Sequence, residues 1–245
     1  MAIDLAHHHA ILDAGSREIY QLFVVLAMLL GGWIIRKDAR DWHLTEKQKW
    51  LLLFVAFVGA MLGSAIPAYF SGGLIEQIAW MAPISPKTVM GGILVSFLFV
   101  AFFKRAFAIH YDTSDGFARG AVTIMAVGRI GCIFQHCCYG RAASWGMDFG
   151  DGVNRIPVQY IEATGLFLML ILIHRLHVTN RFAGRRLFIV FVLYGMMRFG
   201  LEFLREPVAD LYLGVGYYQW IALLIFATGV WQVIRRTDRR RLAIA

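Results

Sequence analysis

Gly128-Arg129-Ile130-Gly131-Cys132-Ile133-Phe134-Gln135-His136-Cys137-Cys138-Tyr139-Gly140 ends an apolar run that begins near Phe117 and is long enough to cross a bilayer. One arginine lies inside it. A guanidinium in hydrocarbon costs several kcal/mol and is retained only where it faces a polar cavity or an anion. The segment therefore reads as a membrane helix with one polar face, and Arg129 requires a partner.

The rest of the chain agrees that lipid is the solvent. Hydrophobic residues make up 59% and charged residues 16%, against about 25% charged in an ordinary globular domain, and the mean hydropathy is +0.61. The net charge of +8 could suggest nucleic acid, but the basic residues cluster at the ends of apolar runs, where membrane topology places them. No nucleic-acid partner is expected.

Scanning outward gives about seven spans: Tyr20 to Ile35, Trp50 to Phe70, Thr88 to Phe107, Phe117 to Phe134, Val158 to Ile173, Leu187 to Leu204, and Tyr217 to Ile234. The expectation is an all-α polytopic bundle, residues 1–245 forming one integral membrane domain without linker or repeat. Arg36, Lys37 and Arg40 follow the first run, Lys104 and Arg105 the third, Arg175 to Arg186 the fifth, and Arg235 to Arg241 the seventh. Every second connection is basic, which predicts an N-terminus outside and a C-terminus in the cytoplasm. Asp4, His7-His8-His9, Asp13 and Glu18 precede the first run without a basic n-region or cleavage site, so the first helix is expected to stay; the histidine run reads as solvated.

Arg129 stands above Arg119 and Arg198 above Arg186 by nearly the same number of residues, which at about 1.5 Å per residue puts both arginines roughly 15–18 Å up, at one level. Arg198, Glu202 and Arg205 follow at i, i+4 and i+7 on one helix face. The plain reading of that face is an internal pair in which Glu202 neutralises Arg198, which leaves Arg129 uncompensated. The sharper reading is a two-arginine clamp for a phosphate or carboxylate, since guanidinium donates bidentate hydrogen bonds to either.

The Gly-Arg-Ile-Gly-Cys-x-x-x-x-Cys-Cys-Tyr-Gly block at 128–140, Ile156-Pro157-Val158-Gln159-Tyr160-Ile161-Glu162-Ala163, and Tyr194-Gly195-x-x-Arg198-Phe199-x-x-Glu202-Phe203-x-Arg205-Glu206-Pro207 together resemble the prolipoprotein diacylglyceryl transferases. Tyr20, Gly91-Gly92 and Gln219-Trp220 add weaker likeness, so the resemblance spans nearly the whole chain. It implies a multi-pass enzyme of the bacterial inner membrane that moves the diacylglyceryl group of phosphatidylglycerol onto the lipobox cysteine of a preprolipoprotein and releases glycerol 1-phosphate. It needs no cofactor. By position, Arg129 and Arg198 are the expected essential arginines, and Tyr20, Gly91, Gly92, Gln159, Glu162 and Arg205 the expected substrate contacts.

The chain departs from the familiar enterobacterial pattern at three places, one of them the Arg155 to Glu162 block, which is without its usual histidine and hydroxyl residue. Cys132 stands where an asparagine is usual, and Met90 stands immediately before Gly91-Gly92 where a histidine, a candidate base, is usual. His136, at i+7 from Arg129 along a helix continued through Cys132, is the candidate replacement base, against a plain reading as an outer-boundary histidine facing lipid headgroups, with Glu202 as the other acid–base candidate. Adjacent Cys137 and Cys138 lack the usual C-x₂₋₄-C spacing, so small thiols packed in a tight loop are expected rather than a metal site. The segment from His136 to Arg155, rich in glycine, reads as a mobile outer rim. Two alternatives stay open: a different acceptor for the lipid group, and a non-catalytic protein or transporter whose arginines bind an anionic lipid or solute.

Overall fold

The computed structural model describes residues 14–71, 88–150, 152–205 and 215–242. The His7-His8-His9 run and the motif residues Glu206 and Pro207 lie outside the described residues. Among the described residues, seven α-helices run in the expected order: α1 (Ala14–Asp38), α2 (Glu46–Ser71), α3 (Val89–Ala106), α4 (Ser114–Phe134), α5 (Val158–Val178), α6 (Arg186–Glu202) and α7 (Tyr217–Leu242). A 3₁₀ turn, Ala39–Asp41, follows α1. Six of the helices, all but α6, are at once long and apolar enough to span a membrane. Helix α6 has 17 residues, about 25 Å at the usual rise, and a turn through Arg205 continues it. The chain is an all-α polytopic membrane protein.

Glycines set the closest helix crossings. In α1 and α4, a Cβ at Gly120 would strike Ile35 and the Gly31 carbonyl. In α2 and α3, a Cβ at Gly92 would lie 3.1 Å from the Ala60 carbonyl oxygen, and one at Gly63 would strike Val95. In α6 and α7, a Cβ at Gly195 would lie 2.7 Å from the Phe226 nitrogen. Lipid tails give helices no hydrophobic reason to associate, so close backbone approach at small residues is what holds such pairs. Helix α5 joins α4 to α6. The core is built from Val122, Met125 and Ala126 of α4, Leu166 and Met169 of α5, Phe188, Phe191 and Tyr194 of α6, and Ala222 and Ile225 of α7. Phe97 of α3 meets Phe188 and Phe191 edge-on. Large apolar side chains such as Leu22, Trp33, Phe54, Phe102 and Leu168 face outward, as a lipid solvent requires.

One end of the bundle is basic and clasped by ion pairs: Arg36 with Glu46, Arg119 with Asp38, Arg186 with Asp115 at 3.3 Å, and Arg236 with Asp112. The other end carries a feature the sequence reading missed. The expected mobile rim is an antiparallel hairpin, β1 (Ala142–Asp148) with β2 (Asn154–Arg155). Its turn is organised by Asp148, whose Oδ1 accepts the N–H groups of Gly150 at 2.8 Å and Gly152 at 3.1 Å. Both glycines take positive φ, 102° and 72°, which is why glycine stands there. Gly140 N–H donates to the Ile156 carbonyl at 2.8 Å and Arg141 N–H to the Leu204 carbonyl at 2.9 Å, anchoring the hairpin base to the end of α6.

Candidate active site

Three helices deliver charge to one buried level. Glu162 on α5 stands between Arg129 on α4 and Arg198 on α6: Arg129 Nη2 pairs with its Oε1, and Arg198 Nη1 donates to its Oε2 at 2.9 Å. Arg198 Nη2 reaches the Glu202 carboxylate one turn along α6 at 3.1 Å. The Glu162 side chain is 1% exposed, that of Arg198 5% and that of Arg129 10%. The i+4 pair with Glu202 forms as the spacing predicts. The expectation that Arg129 is left uncompensated is corrected, because α5 packs between α4 and α6 and brings Glu162 within reach of both guanidiniums. Nothing in the helical period of a single segment could show that a glutamate one helix away points at both.

The network is incomplete, and incompletely paired polar groups in a low-dielectric interior are costly. Arg198 Nε is buried with no hydrogen-bond partner among the described residues. Gln159, one helical turn before Glu162, is fully buried, and neither of its amide atoms is paired among the described residues.

The charged level opens into a cavity of about 2000 Å³ that touches all seven helices. Arg129, Glu162, Arg198, Glu202, Arg205 and Tyr20 line it, while much of the remaining wall is oily, from Val24, Met28, Phe57, Ile93, Phe97, Leu166 and Phe191 among others. Tyr20 enters from α1 and packs on α4 at Gly131, where a Cβ would come 3.1 Å from its ring. Met90 is 2% exposed and lines the cavity. Gly92 lines it too, while Gly91 is buried beside the α2–α3 crossing. Tyr194, one turn before Arg198 and 1% exposed, also lines the cavity. A tyrosine on an apolar helix reads as core, so its place at the cavity wall is not legible in the sequence.

His136 is placed differently from the expectation. Helix α4 ends at Phe134, and His136 follows in a left-handed turn with φ 51°. The helical register that would carry it to the face of Arg129 does not extend that far. His136 is exposed, its ring 6.1 Å from that of Phe149, and the cavity wall passes through Gln135, Cys137 and Cys138 instead.

The same turn gathers the cysteines. Cys137 N–H donates to the Cys132 carbonyl at 3.2 Å, and Cys138 is also left-handed, with φ 65°. The three sulfurs lie within 4.8 Å of one another, all half-buried, and Arg129 Nη1 points at Cys132 Sγ from 3.7 Å. All three are free thiols. A spacing that reads poorly as a ligand motif is thus folded into a three-thiol cluster by backbone geometry that the spacing does not disclose.

Comparison with known proteins matches this chain to a family. The family model for prolipoprotein diacylglyceryl transferase matches residues 11–235. The phosphatidylglycerol–prolipoprotein diacylglyceryl transferase of Geobacter sulfurreducens is 30% identical over 226 residues, covering 84% of this chain and 85% of that protein. The enzyme of the same name from Verminephrobacter eiseniae is 31% identical over 237 residues, covering 88% and 79%. One from Streptococcus agalactiae is 26% identical over 246 residues, covering 91% and 93%. The chain belongs to the prolipoprotein diacylglyceryl transferase family.

Proposed function

We propose that this protein transfers the diacylglyceryl group of phosphatidylglycerol to the lipobox cysteine thiol of a preprolipoprotein, releasing glycerol 1-phosphate. The observation that carries the reading is the amphiphilic shape of the cavity: arginines and glutamates at one buried level, continuous with an oily chamber of about 2000 Å³. Drug-sized ligands occupy pockets of about 300–1,000 Å³. A larger, mainly apolar chamber with a cationic level suits a diacyl lipid with an anionic headgroup. The names borne by relatives at about 30% identity support the same chemistry.

Arg129 and Arg198 hold the phosphate in this reading. Attack by the acceptor sulfur on the glyceryl carbon forms a C–S bond and breaks the C–O bond, and the electron pair leaves with the phosphate. Preorganised guanidiniums in a water-poor cavity stabilise that developing charge without reorganising. The unpaired Nε of Arg198 and the neighbouring Arg205 are donors available to the headgroup, while Glu162 holds Arg129 and Arg198 at one level. Tyr20 and Gly92 line the wall around it, and Gln159 and Gly91 are buried in the helices that carry that wall. The basic end faces the cytoplasm of a bacterial inner membrane by the positive-inside rule, which puts the hairpin end outside, where a secreted acceptor arrives; residues 1–245 act as one membrane unit.

Incubation of purified protein with labelled phosphatidylglycerol and a lipobox peptide tests the proposal. Lipidated peptide and free glycerol phosphate in equal amounts are expected. Glycerol phosphate without lipidated peptide means a different acceptor, and lipid binding without release means a binding protein or transporter; either overturns the reading.

A further inference from the structure

We propose that Cys132, Cys137 and Cys138 form a binding site for a soft divalent ion, zinc foremost, whose remaining coordination position faces the cavity and holds the acceptor thiol as thiolate. The inference rests on the transferase reading for its use, but not for the site itself.

Geometry comes first. Zinc binds thiolate sulfur at about 2.3 Å, which requires sulfurs roughly 4 Å apart. The three sulfurs already lie within 4.8 Å of one another, so closure on an ion asks for side-chain shifts of under about 1 Å. The backbone is committed to the arrangement: His136 and Cys138, neither a glycine, both adopt left-handed φ of 51° and 65°. Such conformations persist only where surrounding structure over-determines them, and they concentrate at functional sites. Here they fold Cys137 and Cys138 back over the end of α4 toward Cys132.

Chemistry selects the ion. Thiolates choose zinc, copper(I) or iron–sulfur chemistry over hard cations. Three protein ligands with one open position is the pattern of zinc sites that do chemistry, whereas structural sites are closed by four. All three cysteines line the same cavity as Arg129 and Glu162, so the open position faces the substrates. Arg129, 3.7 Å from Cys132, offsets the negative charge of an ion held by three thiolates.

Among the described residues the cavity also lacks a free base for the acceptor thiol. Glu162 and Glu202 are engaged by arginines, Met90 accepts no proton, and His136 is exposed off the cavity wall. The histidine that does line the cavity, His110, belongs to the basic end. A metal removes the need, since a coordinated thiol gives up its proton outright. The acceptor thiol binds the ion and loses its proton to water. Its sulfur lone pair then forms the C–S bond as the C–O bond breaks, and glycerol 1-phosphate departs with the electron pair. The product thioether is a weaker ligand and leaves the ion.

The test loads purified full-length protein with zinc, and separately with cobalt(II), whose thiolate charge-transfer absorption counts sulfur ligands. About one ion per chain is expected, falling at least fivefold in Cys132→Ser, Cys137→Ser and Cys138→Ser, with thermal melting confirming that each variant is folded. A lipobox cysteine peptide should raise the cobalt–thiolate absorption by about one third, from three sulfurs to four, and a serine peptide should not. Wild-type protein that holds no ion, or that is isolated with a disulfide among these cysteines, overturns the site. Ion binding without a response to the cysteine peptide overturns its role with the acceptor, as does full-rate transfer by metal-free protein, which leaves the transferase function standing. Ion and peptide bound normally without lipid transfer would instead sink the transferase reading and keep the site.

Discussion

Two sets of buried arginine–carboxylate pairs occupy this protein, and they differ in how fully the arginines are used. At the basic end, Arg119 donates Nε to Asp38 at 2.9 Å and pairs Nη2 with the same carboxylate, while Nη1 meets His174 at 3.3 Å. Arg186 donates Nε to the Arg181 carbonyl at 3.0 Å and Nη2 to Asn180 at 2.8 Å, and pairs Nη1 with Asp115 at 3.3 Å. Arg185 is less complete there, with a buried unpaired Nε, but its Nη1 donates to Thr237 at 2.7 Å and its guanidinium lies over Phe182. At the other level Arg129 and Arg198 share Glu162, and Arg198 keeps an unpaired Nε against a large cavity. Burial does not separate the two sets, because the Asp38 side chain at 3% exposure is nearly as buried as Glu162 at 1%. Saturation does: a spent arginine clasps helices, and one with donors to spare beside a cavity can take an anion.

The largest effects should come from the unsaturated level. Arg129→Ala and Arg198→Ala are each expected to lower turnover on the order of 100–1,000-fold, the loss seen when a preorganised donor to a developing anion is removed. Lysine at either position should recover only a small part, since the planar fork is lost. Full activity in Arg198→Ala would erase the functional side of the comparison.

Glu162→Ala tests whether the two arginines need their shared carboxylate. Removing one member of a buried ion network leaves uncompensated charge and costs about 3–5 kcal/mol. A large drop in melting temperature is expected, with turnover lost in the protein that remains folded. An unchanged melting temperature would mean that the arginines find other partners and that Glu162 is not what holds them level.

Arg119→Ala and Asp38→Ala probe the saturated set. Each breaks a buried pair between α1 and α4 and should lower stability, again by about 3–5 kcal/mol, while the turnover number per folded molecule stays within about twofold. A turnover loss comparable to that of Arg129→Ala would show that the two ends are coupled through α4 and that saturation does not mark the site.

The pair of Asp112, in the loop before α4, with Arg236 on α7 gives a smaller, pH-dependent effect. Burial alone would raise the Asp112 carboxyl, but Arg236 and the hydroxyl and N–H of Ser114 outweigh it and hold the group below its ordinary value of 3.8. A depressed folded value means that the stabilisation is fully present above the unfolded carboxyl's 3.8 and is lost as pH falls through the lower folded value. Melting curves of the native protein and Asp112→Asn should differ at neutral pH and converge in strong acid. Parallel curves at every pH would remove this pair from the clasp.

The sequence was legible where one helix suffices to read it. Helix order, the shared level of Arg129 and Arg198, and the i+4 pair of Arg198 with Glu202 follow from run lengths and the 1.5 Å rise, which are properties of single segments. What stayed hidden depends on how segments meet or stop. Glu162 carried a site expectation from its motif, yet its place between two arginines depends on how α5 packs against α4 and α6. The hairpin at Ala142–Asp148 pairs with only two residues, Asn154–Arg155, too short a strand to announce itself by alternation. The cysteine trio and the displacement of His136 both follow from the end of α4 at Phe134 and two left-handed residues just beyond it, where no glycine flags the turn.

His136 therefore yields the smallest expected effect and sharpens the comparison from outside both arginine sets. Its sequence position predicts a base on the face of Arg129, but the helix ends two residues earlier and the exposed ring lies by Phe149. A general base contributes about 100–10,000-fold, and its loss removes a limb of the pH–rate profile. His136→Ala is expected to change turnover by less than about threefold and to leave the shape of the pH–rate profile as it is in the native protein. The profile decides the matter more sharply than the rate, because loss of the packing against Phe149 could disturb the hairpin and slow acceptor entry at every pH equally. Only a limb of the profile that is present in the native protein and disappears in the variant would restore His136 as the base, and it would then also remove the need for a metal-held thiolate at the cysteine cluster.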